Sequence, residues 1–479
     1  MNEFNFLFLP VRQFCRQDVV TTGPDEMLVN AALTMRRHSV SSIVVCDGGV
    51  PVGIVTDRDL RNKIIAGGLD PKKLMVRDVM NAPLISVDEE TFIFEALYQM
   101  SKNSIHRVGV VDDRGRLVGI ITDSDILRLQ SRSPQLLIRR IEEASNLKEL
   151  QSLHLQVQKL VVHLVGTGVK TSELVRVIAH LNDRLLLRLI ALLRESSYPD
   201  LPERFAFIVL GSEGRQEQTL TTDQDNAIVY ADDLSVDEIA RIEAFSRDLI
   251  AQLIDMGVPE CPGGIMASNA EWRRSLSGWN EMLEQWLGSP TPENILTGSM
   301  FFDLRTLYGD ASLVRTLKGN IASWLQLEPF FLRYAAANVL RFNPPLGWMG
   351  RIKVERKGKH RGLLDIKKAG IFPITEGVKV LALEAGNVDG GTRERLLALV
   401  AAGTLTPVQA EDLESSFNFM VYLRLRGQVT AIQEGREPSN FIDLRQLSRM
   451  EHGRLQIALE GVRTFQSFLN MRFDLNLLR

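Results

Sequence analysis

Cysteine is scarce: Cys15, Cys46 and Cys261 are the three in a 479-residue chain, and they form no CxxC pair. That spacing argues against a disulfide framework or a cysteine-rich zinc site and fits a reducing compartment. Long apolar runs are missing too. None approaches the ~20 residues of a membrane span. The apolar start MNEFNFLFLPV carries Glu3 and no basic flank, so it does not read as a signal peptide. The expectation is a cytoplasmic protein with no membrane partner. Neither sign of charge dominates, with 56 Lys and Arg against 59 Asp and Glu and a net charge of −3. No global case for binding nucleic acid follows. His154, His163 and His180 have no repeated spacing with carboxylates, so surface or core positions explain them better than a metal. What remains, 45% hydrophobic and 24% charged residues, is the makeup of a globular chain of about three domains.

An internal repeat occupies the N-terminal part. PVGIVTDRDLRNKII (51–65) returns as LVGIITDSDILRL (117–129), and HSVSSIVVCD (38–47) as NSIHRVGVVD (103–112), a period of about 65 residues. Each copy reads as a helix, then a strand, a turn (Asp47-Gly48-Gly49 or Asp112-Asp113-Arg114-Gly115), and a second strand ending in Thr-x-x-Asp at a helix start. Thr and Asp there serve either as helix caps or as a ligand site, with phosphate on the first amides and a ribose diol on the carboxylate. The doubled unit, over residues 12–132, resembles a pair of CBS domains. The resemblance implies that Thr56, Asp59, Thr122 and Asp125 bind a regulatory adenine nucleotide, AMP or ATP, and that the chain forms a homodimer through the pair.

Residues 133–197 change to apolar residues at 3–4 spacing, a helical connector. Gly166 and Gly168 interrupt it, and Thr171 or Ser172 caps its second helix. A different pattern follows. The apolar run Phe205–Leu210 ends at Gly211-Ser212, Glu213–Leu220 has helical character, and Thr221-Thr222-Asp223-Gln224-Asp225 leads into a strand, Ala227–Tyr230. On a strand, residues i and i+2 share a face with Cα atoms roughly 6–7 Å apart. Two carboxylates so placed repel unless a cation sits between them. Mg²⁺ suits that donor set together with substrate phosphates, and paired ions support in-line phosphoryl displacement. Glycine lets the backbone approach a phosphate.

GSEGRQEQTLTTDQD resembles the catalytic segment of protein-PII uridylyltransferases and glutamine-synthetase adenylyltransferases, within the polymerase-beta-like nucleotidyltransferase superfamily. It is most similar to bacterial nucleotidyltransferases in which this domain follows CBS domains. The resemblance implies Gly211 and Ser212 for the triphosphate and Asp223 and Asp225 for Mg²⁺ or Mn²⁺. Arg215 either faces the phosphates or pairs with an acid. Many members carry a third carboxylate on a later strand. The corresponding stretch, GVPECPGGIMASNAEW (257–272), offers only Glu260 before Glu271. Asp303 is either that third catalytic acid or the partner of Arg305.

Beyond residue 320 the pattern is helical, with starts signalled at Thr406-Pro407 and at Ser448 with Glu451 three residues on. RIKVERKGKHRGLLDIKKAG (351–370) holds eight Lys or Arg against two acids. It is either a solvated loop or one edge of the active-site cleft, with Lys367 the first choice for a nucleotide contact. The expectation is a multidomain α+β chain: tandem CBS domains (12–132), helical connector (133–197), nucleotidyltransferase α/β domain (198–319) and helical substrate-binding bundle (320–479). The expected activity is transfer of NMP from an NTP to a protein or small-molecule acceptor. The alternative is a catalytically silent nucleotide sensor. A nucleic-acid polymerase would need a basic track that the charge balance does not provide.

Overall fold

The computed structural model describes residues 10–126, 134–165, 169–220 and 223–478. Gly166, Gly168, Thr221 and Thr222, singled out above, lie outside them. The chain separates into two compact units at Leu136–Leu137.

The first unit carries the repeat as two matching three-stranded sheets. In one, β1 (Thr21–Thr22) runs parallel to β2 (Ser42–Asp47), which pairs antiparallel with β3 (Val50–Thr56). In the other, β4 (Ser86–Asp88), β5 (Arg107–Val111) and β6 (Leu117–Thr122) repeat the order and directions. Even the ladder irregularity recurs, between Val45 and Cys46 and between Val110 and Val111. The Gly48-Gly49 turn between β2 and β3 is left-handed at both residues, φ +60° and +86°, a conformation glycine adopts without steric cost. Each copy has its own core under a ten-residue helix, Leu28–Arg37 or Ile93–Lys102.

The second unit is continuous from Leu137 to the C-terminus and has one hydrophobic core. The connector, transferase segment and helical bundle therefore share a core. Helices Leu147–Val165 and Thr171–Ser196 lead in; the second starts without a side-chain cap, so neither Thr171 nor Ser172 caps it. The central sheet has the order β10-β7-β8-β9, from Arg305–Gly309, Phe205–Val209, Asn226–Tyr230 and Arg273–Ser275. β7 pairs antiparallel with β8 and β10, and β8 runs parallel to β9. All five residues of β7 are buried, as expected of a central strand covered on both faces. The bundle comprises helices Pro329–Leu340, Phe372–Glu384, Thr392–Ala401, Pro407–Gln433 and Arg449–Arg472. The last two begin at the anticipated capping boxes, Thr406 with Gln409 and Ser448 with Glu451.

Candidate active site

The β7–β8 ladder sets the site. Val209 pairs with Asn226, and one step further Leu210 N donates to Asp225 O at 2.8 Å. Gly211 follows at φ +53°, and a Cβ there would stand 3.0 Å from Asp225 Oδ2. Glycine is thus required by conformation and by space. The helix expected over Glu213–Leu220 is a single turn, Gly211–Gly214, after which Gln216 goes left-handed at φ +56°. Gly214 also excludes a side chain, since a Cβ would lie 1.8 Å from Asp303 O.

Asp223 and Asp225 line one cleft of about 230 Å³ with Gly211, Ser212 and, from the helical bundle, Lys367 and Arg424. Asp223 is exposed and Asp225 half-buried. Burial first, and the like charge of Asp223, push the Asp225 carboxyl up to about 6, against the opposing pull of the Cys261 thiol, Lys367 and Arg215. The same neighbourhood pushes the Cys261 thiol up to about 11, burial leading and Asp225 adding to it. Asp225 Oδ1 is buried with no hydrogen-bond partner. A carboxylate with an orphaned oxygen beside a second carboxylate is short of positive charge, which is the condition a divalent cation relieves. Among the described residues no group of three or more His, Cys, Asp or Glu side chains is arranged to hold a metal ion. A cation here would have two protein carboxylates and take its other ligands from phosphate and water, the arrangement Mg²⁺ favours. The residues present fit that ion.

The opposite wall is basic. Lys367 begins the turn Lys367–Ile371; its side chain opens onto the cleft, where crowding by protein and then Arg424 lower its pKa while Asp225 and Asp223 raise it. Arg424 is buried on helix Pro407–Gln433 and donates from Nε to Asn440 Oδ1 at 2.7 Å. Burial lowers its pKa to about 10, opposed by Asp223 and Asp365. One turn on, Gln428 is 1% exposed with Oε1 unpartnered. The rest of the basic stretch, Arg351–Arg361, is a largely exposed loop outside the cleft lining. That part is the solvated loop of the first reading, and Lys367 alone of the eight cations lines the cleft.

Asp303 departs from the sequence expectation. Its carboxylate is fully buried and pairs with Arg215, with Lys379 Nζ at 2.8 Å and with Arg395 Nη1 at 2.7 Å. Burial raises its pKa, but the three cations outweigh that and hold it well below the usual carboxylate range. Both oxygens are committed, so Asp303 is a structural acid at the cleft floor and not a third metal ligand. Nor does it pair with Arg305, which grips Asp183 at 2.8 and 3.0 Å. Strand β9, beside β8, presents Arg273, Arg274 and Ser275 and no acid. Arg215 likewise pairs with acids, Asp303 and Glu217 (2.8 Å). Burial would lower its pKa, and those two carboxylates raise it instead. Glu217 Oε1 accepts from Thr392 N at 2.6 Å, and Lys379 also bonds Glu376 at 2.8 Å. The whole is a buried cluster of three acids and three cations.

Glu213, Lys379, Arg395 and Arg424 escaped the sequence reading. For Arg424 a signal existed: Phe417, Met420, Val421, Arg424 and Gln428 fall on one helical face, which places a cation and an amide in an apolar stripe. Glu213 is half-buried and bonded by Gln218 Nε2 at 2.6 Å. Burial, then Asp225 and Asp183, push it up to about 8.

In the first unit, Thr56 and Asp59 close a reciprocal cap: Asp59 N donates to Thr56 Oγ1 at 3.3 Å and Thr56 N to Asp59 Oδ2 at 3.0 Å. Asn81 Nδ2 holds the other Asp59 oxygen at 2.8 Å. A cavity of about 370 Å³ lined by Thr56, Asp59, Asn81, His106 and Arg107 opens beside them, between the two copies. Thr122 and Asp125 form the same cap, with Arg16 on Asp125 Oδ1 at 2.9 Å, and do not line that cavity.

Comparison with known families gives three matches. Residues 11–66 and 76–132 match the CBS domain, 155–293 a family described as "Putative nucleotidyltransferase DUF294", and 329–473 a "Putative nucleotidyltransferase substrate binding domain". An uncharacterised protein of Methanopyrus kandleri is 37% identical over 140 residues, 29% of this chain and 70% of that one. Hypoxic response protein 1 of Mycobacterium tuberculosis is 35% identical over 118 residues, 24% of this chain and 82% of its own length. Among solved structures, a CBS domain pair in complex with 5′-methylthioadenosine and S-adenosyl-L-methionine is 29% identical, covering 25% of this chain and 98% of that one, at a TM-score of 0.23. No helix among the described residues is long and apolar enough to cross a membrane.

Proposed function

Because the chain belongs to the family that joins a CBS pair to a nucleotidyltransferase domain and its substrate-binding domain, we propose that it is a Mg²⁺- or Mn²⁺-dependent nucleotidyltransferase, which moves an NMP group from an NTP to a protein or small-molecule acceptor. One observation carries the reading: a single cleft sets Asp223, Asp225 and Gly211-Ser212 of the sheet against Lys367 and Arg424 of the helical bundle. In the reaction an acceptor oxygen bonds to the α-phosphorus, the bond from that phosphorus to the bridging oxygen breaks, and pyrophosphate leaves; the acceptor proton goes to solvent. Asp223 and Asp225 would hold the cation, which would supply charge neutralisation for the reacting phosphates. Lys367 and Arg424 take the phosphate charge opposite, where a partly water-excluded wall strengthens each contact. Gly211 lets the backbone come close to the triphosphate. The acceptor is most simply a protein, as in PII uridylyltransferases, and enters beside the bundle.

Regulation belongs to the first unit. AMP or ATP binds the Thr56–Asp59 and Thr122–Asp125 junctions of the CBS pair, which assembles as a homodimer. The Thr56 cavity supports this for the first junction.

A second reading, a nucleotide sensor without turnover, is favoured by one feature: among the described residues the other acids lining the cleft, Asp303, Glu217 and Glu376, are paired with Arg215, Lys379 and Arg395. Cell lysate incubated with each NTP labelled at the α-phosphate separates the two. Transfer requires label on an acceptor with wild type and none with Asp225→Asn. Absence of label with all four NTPs, with AMP or ATP also present, leaves the sensor.

A further inference from the structure

Neighbours along an extended segment point to opposite faces. Asp223 and Asp225 line the nucleotide cleft, whereas Gln224, between them, lines a second cavity of about 340 Å³ that neither carboxylate borders. Helices Leu147–Val165, Thr171–Ser196 and Val236–Asp255 wall this cavity with Val161, Ile178, Leu186 and Leu253. Its size falls in the low range of small-molecule pockets, roughly 300–1,000 Å³.

The polar groups in that wall set the chemistry of an occupant. The Gln224 side chain is 1% exposed; its Nε2 donates to Val258 O at 3.1 Å, and its Oε1 has no partner. A buried acceptor left without a donor costs about 1–3 kcal/mol, so Oε1 has a bond to gain from an occupant. Asn226 is committed, its Oδ1 accepting from Ala267 N at 2.8 Å. His154 pairs with Gln158 at 3.1 Å, and burial lowers its pKa, so the ring is neutral near pH 7. Glu213 has Oε1 taken by Gln218 Nε2 at 2.6 Å. The described lining holds no Lys, Arg or Asp, so an anionic occupant would lose its hydration without a counter-ion.

We propose that this cavity is a binding site for an uncharged, ring-sized small molecule that donates an N–H or O–H hydrogen bond to Gln224 Oε1. The site stands apart from the transferase reading. Its occupant reaches the loop between the two carboxylates from behind, which makes it an effector site and not the seat of the acceptor.

The test is fluorine NMR line broadening of two probes with the full chain: para-fluorobenzamide, which has the ring and the N–H donor, and para-fluorobenzoate, which has the ring and a charge. The proposal expects broadening of the amide and not of the benzoate. Gln224→Met, which removes the acceptor at similar volume, should weaken amide binding about tenfold, the equivalent of one buried hydrogen bond. Leu186→Trp, which fills the cavity, should abolish it, and Val258→Phe fills it from the loop side if the first fails to fold by circular dichroism. No broadening of the amide overturns the proposal. So does equal broadening by both probes, or broadening that survives Gln224→Met and the filling variant unchanged.

Discussion

Asp225 carries the most chemistry of any single residue, and its environment makes a measurable claim. Its folded pKa of about 6 lies above the ~3.9 of an unfolded chain, so the folded state holds a proton the unfolded state has released. Its contribution to stability therefore falls as pH rises from about 4 to about 6, and above that window the ionised carboxylate is a net cost. Asp225→Asn removes the cost. Without metal, its Tm above pH 6 should equal or exceed the wild-type value by calorimetry, while metal-dependent NTP turnover is lost. The same proton competes with the cation, so Mg²⁺ affinity of the wild type should drop below pH 6. Glu213 behaves alike over a wider range. Raised from about 4.3 to about 8, it makes wild-type stability decline from about pH 4 through pH 8. Glu213→Gln should flatten that part of the curve, so the urea midpoints of variant and wild type should converge at pH 4 and below and separate in the variant's favour at pH 9.

At the scale of elements, helix Pro407–Gln433 brings the bundle to the cleft. Arg424 sits on its buried face, held by Asn440, and a charge-assisted contact of this kind is worth about 1.5–3 kcal/mol. Arg424→Met, which keeps the packing stem, should raise KM for the NTP about 10- to 100-fold with little change in Tm; an unchanged KM would remove Arg424 from the phosphate wall. Legibility in the sequence divides along similar lines. The strands flanking Gly211 and Asp225 could be read because apolar runs bounded by turn residues have few other meanings, and the capping boxes at Thr406 and Ser448 because the signal is local. The expected helix over Glu213–Leu220 failed because Gln216 takes a left-handed conformation that its residue type does not announce. The role of Asp303 was hidden for another reason: Lys379 and Arg395 lie 76 and 92 residues away in the chain, and no periodicity encodes a contact at that range. Lys367 was legible since it follows a short apolar stretch that anchors it; Arg424 shares its helix with Arg426 two residues on, and only the apolar stripe it falls in tells the two apart.

At the scale of the molecule, the transferase segment and the bundle are one compact unit, and the buried cluster around Asp303 crosses between them. Breaking a buried ion pair by removing one partner costs about 3–5 kcal/mol, because the other charge is left uncompensated. Asp303→Asn strands three cations against two remaining acids, so it should lower the urea midpoint of the second unit by that free energy, whereas Asp223→Asn, at an exposed position, should leave it nearly unchanged. A stable, inactive Asp303→Asn would instead return Asp303 to catalysis.

Metal-dependent nucleotidyl transfer by the two carboxylates of the cleft, as proposed, is tested by pyrophosphate release in a lysate depleted of small molecules, supplied with Mg²⁺ and each NTP in turn, with wild type and Asp225→Asn run together. Release is expected with one NTP, dependent on the cation and absent in the variant. Equal release by both proteins, or none from wild type under any NTP with AMP or ATP added, would contradict it.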